Sequence, residues 1–268
     1  MLIEVRKRHA RYMLWICLAG TRLSAEEDRP FADESPIMAT QTPVAITYFS
    51  DILCVWAYVA QVRLDEIVSR FGNDVRVDHK FCSVFGNSAD KITRGWGDKG
   101  GYQGFNLHLK EVAKKLDHVE IHADVWLAAR PASSDSAHLF IKALQTLEAN
   151  GSIEPADGKS ASTELMWRLR CAFFRECRDV SDRTVQRDIA DRMGIPTALV
   201  EREIDSGAAF AALAADYQDR DRLRIEGSPT YVLNQGRQKL YGNLGYRVIE
   251  ANIRELLRVP GTGEMSWC

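Results

Sequence analysis

Residues 44–57 read VAITYFSDILCVWA, and this stretch decides the fold. Its first six residues are apolar, β-branched or aromatic, which predicts a strand over Val44–Phe49 that is covered on both faces. Ser50 and Asp51 break the strand, and apolar residues then recur at helical spacing until Gly72, a typical helix stop. The stretch therefore predicts a strand, a short turn and a helix, with Cys54 where the helix begins.

The residues that follow predict a second strand. Apolar and polar side chains alternate over residues 75–81, which is the period of a strand with one solvated face. Because a helix connects the two strands, we expect them to be parallel, with a right-handed crossover. Residues 86–104 are rich in glycine and polar groups and predict an irregular loop anchored by Trp96 and Tyr102.

The middle of the chain is dominated by the helical period, which predicts an all-helical insertion over residues 91–222. After Gly227 the pattern returns to two short strands around residues 231–233 and 239–241, joined by a turn at 234–237 and followed by a last helix. The order is βαβ, helical insertion, ββα. Residues 42–90 and 223–258 are the two parts of one α/β domain.

The two ends of the chain read differently from this domain. Residues 1–41 contain four basic residues before a short apolar run, as in a weak signal peptide, but the cleavage site is poor. We expect a disordered extension, with Met38 as an alternative start and export as the minority interpretation. Residues 259–268 are expected to form a loose tail.

Composition excludes several classes of function. The 268 residues carry a net charge of −2 and a sequence pI near 6.3, so no basic field indicates nucleic-acid binding. The longest early apolar run is too short for a membrane span. The six cysteines are scattered, without paired metal-ligand spacing, and His118 and His122 lack the order of a zinc protease. We expect a cytoplasmic protein with no metal and no tightly bound cofactor.

Cys54 and Pro229 are the candidate chemical residues. At a helix start, unpaired N–H groups and the helix dipole stabilise a thiolate, so the placement of Cys54 predicts a lowered pKa. Pro229 stands at the mouth of a strand, where proline disfavours an ordinary ladder. A cis peptide bond and a trans proline on an edge strand both fit this position.

Taken together, these features resemble the DsbA-like thioredoxin family, which includes kappa-class glutathione transferases and hydroxychromene-carboxylate isomerases. The resemblance covers residues 42–258 and rests on four short motifs: YFSD at 48–51, CVWA at 54–57, ASS at 132–134 with Ala137-His138, and GSPT at 227–230. It implies a thioredoxin-like βαβ-ββα sheet with a large all-helical insertion, and a cis bond before Pro229.

The resemblance also implies a set of site residues. Cys54 would be the nucleophile, and substrate or glutathione would contact the residues Trp56, Ser228, Pro229 and Asn243, the last holding the γ-glutamyl carboxylate. Ser134 and His138 would approach from the insertion. For Trp56 the alternative is simple packing. For Ser134 and His138 the alternative is a structural role.

One departure from the family motif decides between mechanisms. Oxidoreductases of the family carry Cys-x-x-Cys, whereas position 57 here is alanine, so the resolving thiol is missing. We expect monothiol exchange on a thiol or disulfide substrate, with glutathione as co-substrate. The alternatives are a glutathione-dependent transferase or isomerase, in whose relatives serine typically replaces Cys54, and a redox-silent binding module. A homodimer is left open.

Overall fold

The computed structural model describes residues 42–154 and 160–258. In this part of the chain the strands form one four-stranded sheet with the order β2-β1-β3-β4. Strands β1 (Val44–Ser50) and β2 (Val75–Phe81) are parallel, while β3 (Thr230–Leu233) is antiparallel to both β1 and β4 (Gln238–Tyr241). The predicted βαβ and ββα units and their shared sheet are confirmed.

Two helices cover one face of this sheet. Helix α1 (Val55–Phe71) connects β1 to β2 and ends at Gly72, whose φ of +50° is a conformation that favours glycine. The last helix of the described residues (Tyr246–Arg258) packs beside it. Their apolar faces share one buried cluster with alternate residues of β1, namely Val44, Ile46 and Tyr48. The period of two along β1 therefore decides which side chains meet these helices.

Seven α-helices make up most of the described part of the insertion between β2 and β3, and its segment 114–134 contains no α-helix. Its helices are α2 (Ser88–Trp96), α3 (Gly101–Ala113), α4 (Asp135–Ala149), α5 (Ala161–Phe174), α6 (Arg183–Arg192), α7 (Thr197–Asp205) and α8 (Ala208–Arg222); the last helix is therefore α9. Their core is continuous with the residues Ile52 to Val55 at the start of α1. The insertion thus packs directly on the turn that holds Cys54.

The irregular loop predicted over residues 86–104 was wrong, because α2 and the start of α3 occupy most of it. The Asn87 side chain caps α2 by accepting a hydrogen bond from the Asp90 N–H at 3.1 Å, and Ile92 supplies its buried apolar contact. Gly100 and Gly101 have positive φ and join the two helices. Trp96 and Tyr102 do pack against the insertion core, as expected of anchors.

The expectations for residues 1–41 and 259–268 lie outside the described residues. Within residues 42–154 and 160–258, no helix combines the length and hydropathy that crossing a membrane requires.

Candidate active site

Cys54 lies at the junction of β1 and α1, as predicted. It is the N-cap residue of α1, and its carbonyl oxygen accepts hydrogen bonds from the N–H groups of Ala57 and Tyr58. Its side chain is 6% exposed and lines a cleft. The helix start results from local chemistry, since Ser50 and Asp51 end the strand and an unbroken helical pattern follows.

The sheet brings Ser228 and Pro229 to this turn. Strand β3 pairs with β1 so that Thr230 lies opposite Phe49, which places the preceding residues beside Asp51 and Cys54. The Ser228–Pro229 peptide bond is cis, as expected. The Cys54 Sγ donates a hydrogen bond to the Ser228 carbonyl oxygen at 3.3 Å, and the Asp51 N–H donates to Ser228 Oγ at 2.9 Å. Two residues that are 174 positions apart in the sequence thus meet at the start of helix α1.

The expected lowering of the Cys54 pKa is wrong in direction. Burial raises the pKa of the Cys54 thiol, and this outweighs the hydrogen bond with Ser228 and the N–H groups of Ala57 and Trp56, which act in the opposite direction. The helix start does supply the stabilising donors that the sequence predicted. The insertion covers the sulfur, however, and removes the solvent that a thiolate needs, so the resting side chain is a thiol.

The structural role of Asp51 beside the thiol was not predicted from the sequence. Its buried carboxylate accepts hydrogen bonds of 2.8 Å from the N–H groups of Leu53, Val84 and Phe85 and from Ser134 Oγ. These donors belong to the Cys54 turn, to the segment after β2 and to the residue before α4. One side chain therefore connects three separate parts of the chain around the thiol.

Ser134 and His138 lie beneath the Cys54 turn and do not line the cleft. Both side chains are fully buried, and they contact Asp51 and Ile52. His138 Nε2 accepts a hydrogen bond from the Ile52 N–H at 3.0 Å. The resemblance implied that these two residues would contact a bound substrate. In the structure they contact the Cys54 turn instead.

The cleft at Cys54 has a volume of about 290 Å³, and aromatic side chains form one part of its lining. Trp56 lines it, as predicted. The other lining residues, apart from Cys54 and Ser228, are Val55, Val84, Phe85, Lys91, Trp96, Phe105, His108, Glu226, Gly227 and Tyr241. The aromatic wall that α2 and α3 supply was not predicted from the sequence. The aromatic residues between positions 96 and 108 were the sequence signal for this wall, but the glycines around them favoured the prediction of a loop.

His108 is the titratable ring of this wall. It lies 4.9 Å from the Trp96 ring and 6.4 Å from the Trp56 ring, centroid to centroid. Burial lowers the pKa of His108, and the positive charges of Lys115 and Lys99 act in the same direction. The neutral form of the ring is therefore favoured, which adds to the apolar character of the wall.

Asn243 is not brought into the cleft. Its side-chain oxygen instead accepts a hydrogen bond from Arg63 Nη1 of α1 at 2.8 Å, at an exposed position. Among the described residues, no group of three or more His, Cys, Asp or Glu side chains is arranged to hold a metal ion.

The fold and the site together define a class of protein. It is a thioredoxin-like protein with a helical insertion and a cysteine at the start of the first helix, facing the residue before a cis-proline. A family model of the DSBA-like thioredoxin domain matches residues 45–254. The chain therefore belongs to the DSBA-like thioredoxin family.

Solved structures show the same fold at low sequence identity. A candidate protein disulfide isomerase from Nitrosomonas europaea superposes with a TM-score of 0.64 at 14% identity, covering 82% of this chain and 100% of its own. The cytosolic disulfide reductase DsbM from Pseudomonas aeruginosa gives 0.55 at 19% identity, with 78% and 98% covered, and its structure with GSH also matches. The 2-hydroxychromene-2-carboxylate isomerase gives 0.53 at 15%, with 80% and 96% covered. A search of curated proteins finds no match.

Proposed function

We propose that this protein is a thiol–disulfide oxidoreductase that acts through the single thiol of Cys54. The observation that carries the proposal is the contact between Cys54 Sγ and the Ser228 carbonyl oxygen at 3.3 Å, inside a cleft at the start of α1. Ala57 occupies the position of a resolving cysteine, and among the described residues Cys54 is the one cysteine that lines this cleft.

The proposed reaction has two exchange steps. The Cys54 thiol first loses its proton, and the thiolate attacks one sulfur of a substrate disulfide, so that the other sulfur leaves as a thiolate and a mixed disulfide forms. A second thiol then attacks this mixed disulfide and releases Cys54. The N–H groups of Ala57 and Trp56 stabilise the thiolate in both steps. An extended substrate would lie along the backbone of Ser228 as a short added strand.

Glutathione is the proposed second thiol. A monothiol site depends on an external thiol for release, and a reducing cytoplasm supplies it. DsbM, which shares the fold, has been solved with GSH. In the present cleft Lys91 is exposed and has no ion-pair partner among the described residues, so its ammonium group is available to a carboxylate such as those of glutathione.

The aromatic wall supports a second candidate function. Trp56, Trp96 and Phe105 surround the space next to the sulfur with apolar rings. Such a space suits a small hydrophobic electrophile to which bound glutathione would add, as in a glutathione-dependent transferase or isomerase. The cysteine at position 54 favours disulfide exchange over this alternative, because it places a nucleophile of the protein itself at the reacting position.

Two assays on matched variants separate the candidates. Reduction of bis(2-hydroxyethyl) disulfide by glutathione is expected to depend on the protein and to be lost in Cys54→Ser, while Cys171→Ser, which alters a half-buried thiol outside the cleft, retains it. Conjugation of glutathione to a hydrophobic electrophile that survives in Cys54→Ser would favour the transferase. The absence of both activities in the unaltered protein would contradict both enzymatic candidates and favour a binding module.

A further inference from the structure

The backbone N–H of Ile52, two residues before the thiol, has an unusual acceptor. It donates to His138 Nε2 at 3.0 Å, a side chain from the insertion 86 residues away. Ile52 and His138 are both fully buried, and the imidazole stacks on Phe81 with ring centroids 4.4 Å apart and planes 15° apart. The ring is thus fixed by packing with one nitrogen directed at the Cys54 turn.

This hydrogen bond determines where the ring proton lies. An imidazole nitrogen that accepts a hydrogen bond carries no proton, so a neutral His138 must carry its proton on Nδ1. The nearest acidic group to Nδ1 is Asp135, whose Oδ1 lies 3.5 Å away, longer than a normal hydrogen bond. The negative charge at this distance still favours an N–H directed towards it.

Asp135 is itself held in place. Its Oδ1 accepts hydrogen bonds from Ser83 Oγ and from Tyr217 OH, both at 2.7 Å. Burial raises the pKa of Asp135, but the nearby His138 ring and the hydrogen bonds from Tyr217 and Ser83 outweigh it and lower the pKa to about 2. Asp135 is therefore a fixed negative charge on the far side of the ring from Ile52.

We propose that His138 is a positioning residue for the Cys54 turn and acts through its neutral Nδ1–H tautomer. Nε2 accepts the Ile52 N–H, while Asp135 favours the proton on Nδ1. Ser134 Oγ, which donates to Asp51 Oδ2, is a second contact from the same end of α4 to the same turn. The insertion thereby fixes the turn that presents the thiol, and the effect on catalysis rests on the proposed function.

Proton transfer by this group of residues is a poorer explanation. Both oxygens of Asp51 already accept hydrogen bonds, four in all, and His138 does not line the cleft. The Cys54 thiol donates to Ser228 and not to either residue. His138 therefore acts on the backbone of the turn, not on the reacting sulfur.

Nuclear magnetic resonance of the ¹⁵N-labelled full chain tests the tautomer without any assay of activity. Long-range ¹⁵N–¹H spectra distinguish a protonated from an unprotonated ring nitrogen, and His138→Gln assigns the signal. We expect Nδ1 to be protonated and Nε2 to be unprotonated, and a coupling through the hydrogen bond between Ile52 N and His138 Nε2. A proton on Nε2, or no such coupling, would overturn the proposal.

A pair of variants tests the effect on the thiol. His138→Gln can keep an acceptor near Ile52, whereas His138→Leu cannot and leaves a buried N–H unpaired. We expect kcat/KM for glutathione-dependent disulfide reduction to fall about tenfold in the leucine variant and to stay within about twofold in the glutamine variant. Equal losses in both, or a loss in neither, would contradict a positioning role. If the unaltered protein reduces no disulfide, the proposed function fails, and the ring spectra still decide the role of His138.

Discussion

The ends of strands β1 and β2 each lead to a buried cysteine, and the two sites differ in what surrounds the sulfur. Cys54, after β1, is 6% exposed, and Cys82, after β2, is 2% exposed. A helix of 17 residues begins directly after Cys54, whereas five residues separate Cys82 from the nearest helix start at Ser88. Cys54 contacts Ser228, while Cys82 packs in a cluster with Phe49, Ile225 and Val232.

The comparison shows that burial alone does not distinguish the proposed nucleophile from a packed thiol. Burial raises the pKa of both thiols, and it raises that of Cys82 strongly. At Cys54 the N–H groups of Ala57 and Trp56 oppose this effect, and the cleft gives a substrate access to the sulfur. Helix placement, access and a backbone partner are therefore the features that separate a proposed nucleophile from a packed thiol.

Substitution of these two cysteines is expected to give the largest effect, which is a difference in catalytic rate between the two variants. Cys54→Ser should lower glutathione-dependent disulfide reduction about a thousandfold or more, because the attacking sulfur is lost. Cys82→Ala should leave the rate within about twofold, since its sulfur does not line the cleft. Steady-state kinetics on both variants, with circular dichroism to verify folding, measure the contrast. Comparable losses in the two variants would refute the distinction.

The next largest effect is expected from Asp51, whose carboxylate joins the Cys54 turn to the segment after β2. Asp51→Ala leaves three N–H groups and one hydroxyl without their acceptor, so the free energy of unfolding should fall by about 3–5 kcal/mol. Ser134→Ala removes one of these four donors and should cost about 1 kcal/mol. Urea denaturation gives both values. An Asp51 variant as stable as the Ser134 variant would show that the carboxylate does not join these segments.

A smaller effect is expected in the dependence of stability on pH. Both thiols have a raised pKa in the folded state, so the unfolded chain releases these protons first as the pH rises. Stability should therefore fall above about pH 8.5, by up to about 1.4 kcal/mol per pH unit for each thiol. Cys82→Ala should make this fall less steep in urea titrations between pH 7 and 10. A fall of unchanged steepness would argue that Cys82 is not held as a thiol.

The smallest effect is expected from the aromatic wall. Trp96→Ala removes a ring from the cleft and should raise the KM for an aromatic disulfide about threefold to tenfold, with kcat little changed. Trp167→Ala is the matched control, because Trp167 stacks on Tyr58 outside the cleft. It should leave KM unaltered. A change in KM for the control and none for Trp96 would contradict a role of the wall in binding.

Much of the fold could be predicted because its signals are local. The apolar run before Ser50, the helical spacing after Cys54 and the alternation over residues 75–81 each depend on neighbours in sequence. The cis bond at Pro229 and its place beside Cys54 came from the resemblance to a family. Helix α2 was missed because Gly95 and the glycines that follow dominate the local pattern, while its cap and its buried Ile92 are weak signals.

The part of the site that could not be predicted depends on distant partners. Asp51 reads locally as a strand breaker, and its role appears only when Val84, Phe85 and Ser134 converge on it. The direction of the Cys54 pKa depends in the same way on how the insertion covers the sulfur. Local sequence identified the helix donors, and only the packed structure showed that desolvation outweighs them.

Mass spectrometry of the protein after treatment with oxidised glutathione tests single-thiol chemistry most directly. We expect peptide mapping to find one glutathionyl group on Cys54, which reduced glutathione then removes, with no disulfide between Cys54 and another cysteine of the chain. An intramolecular disulfide at Cys54, or an unmodified Cys54 beside glutathionylated cysteines elsewhere, would contradict the proposal.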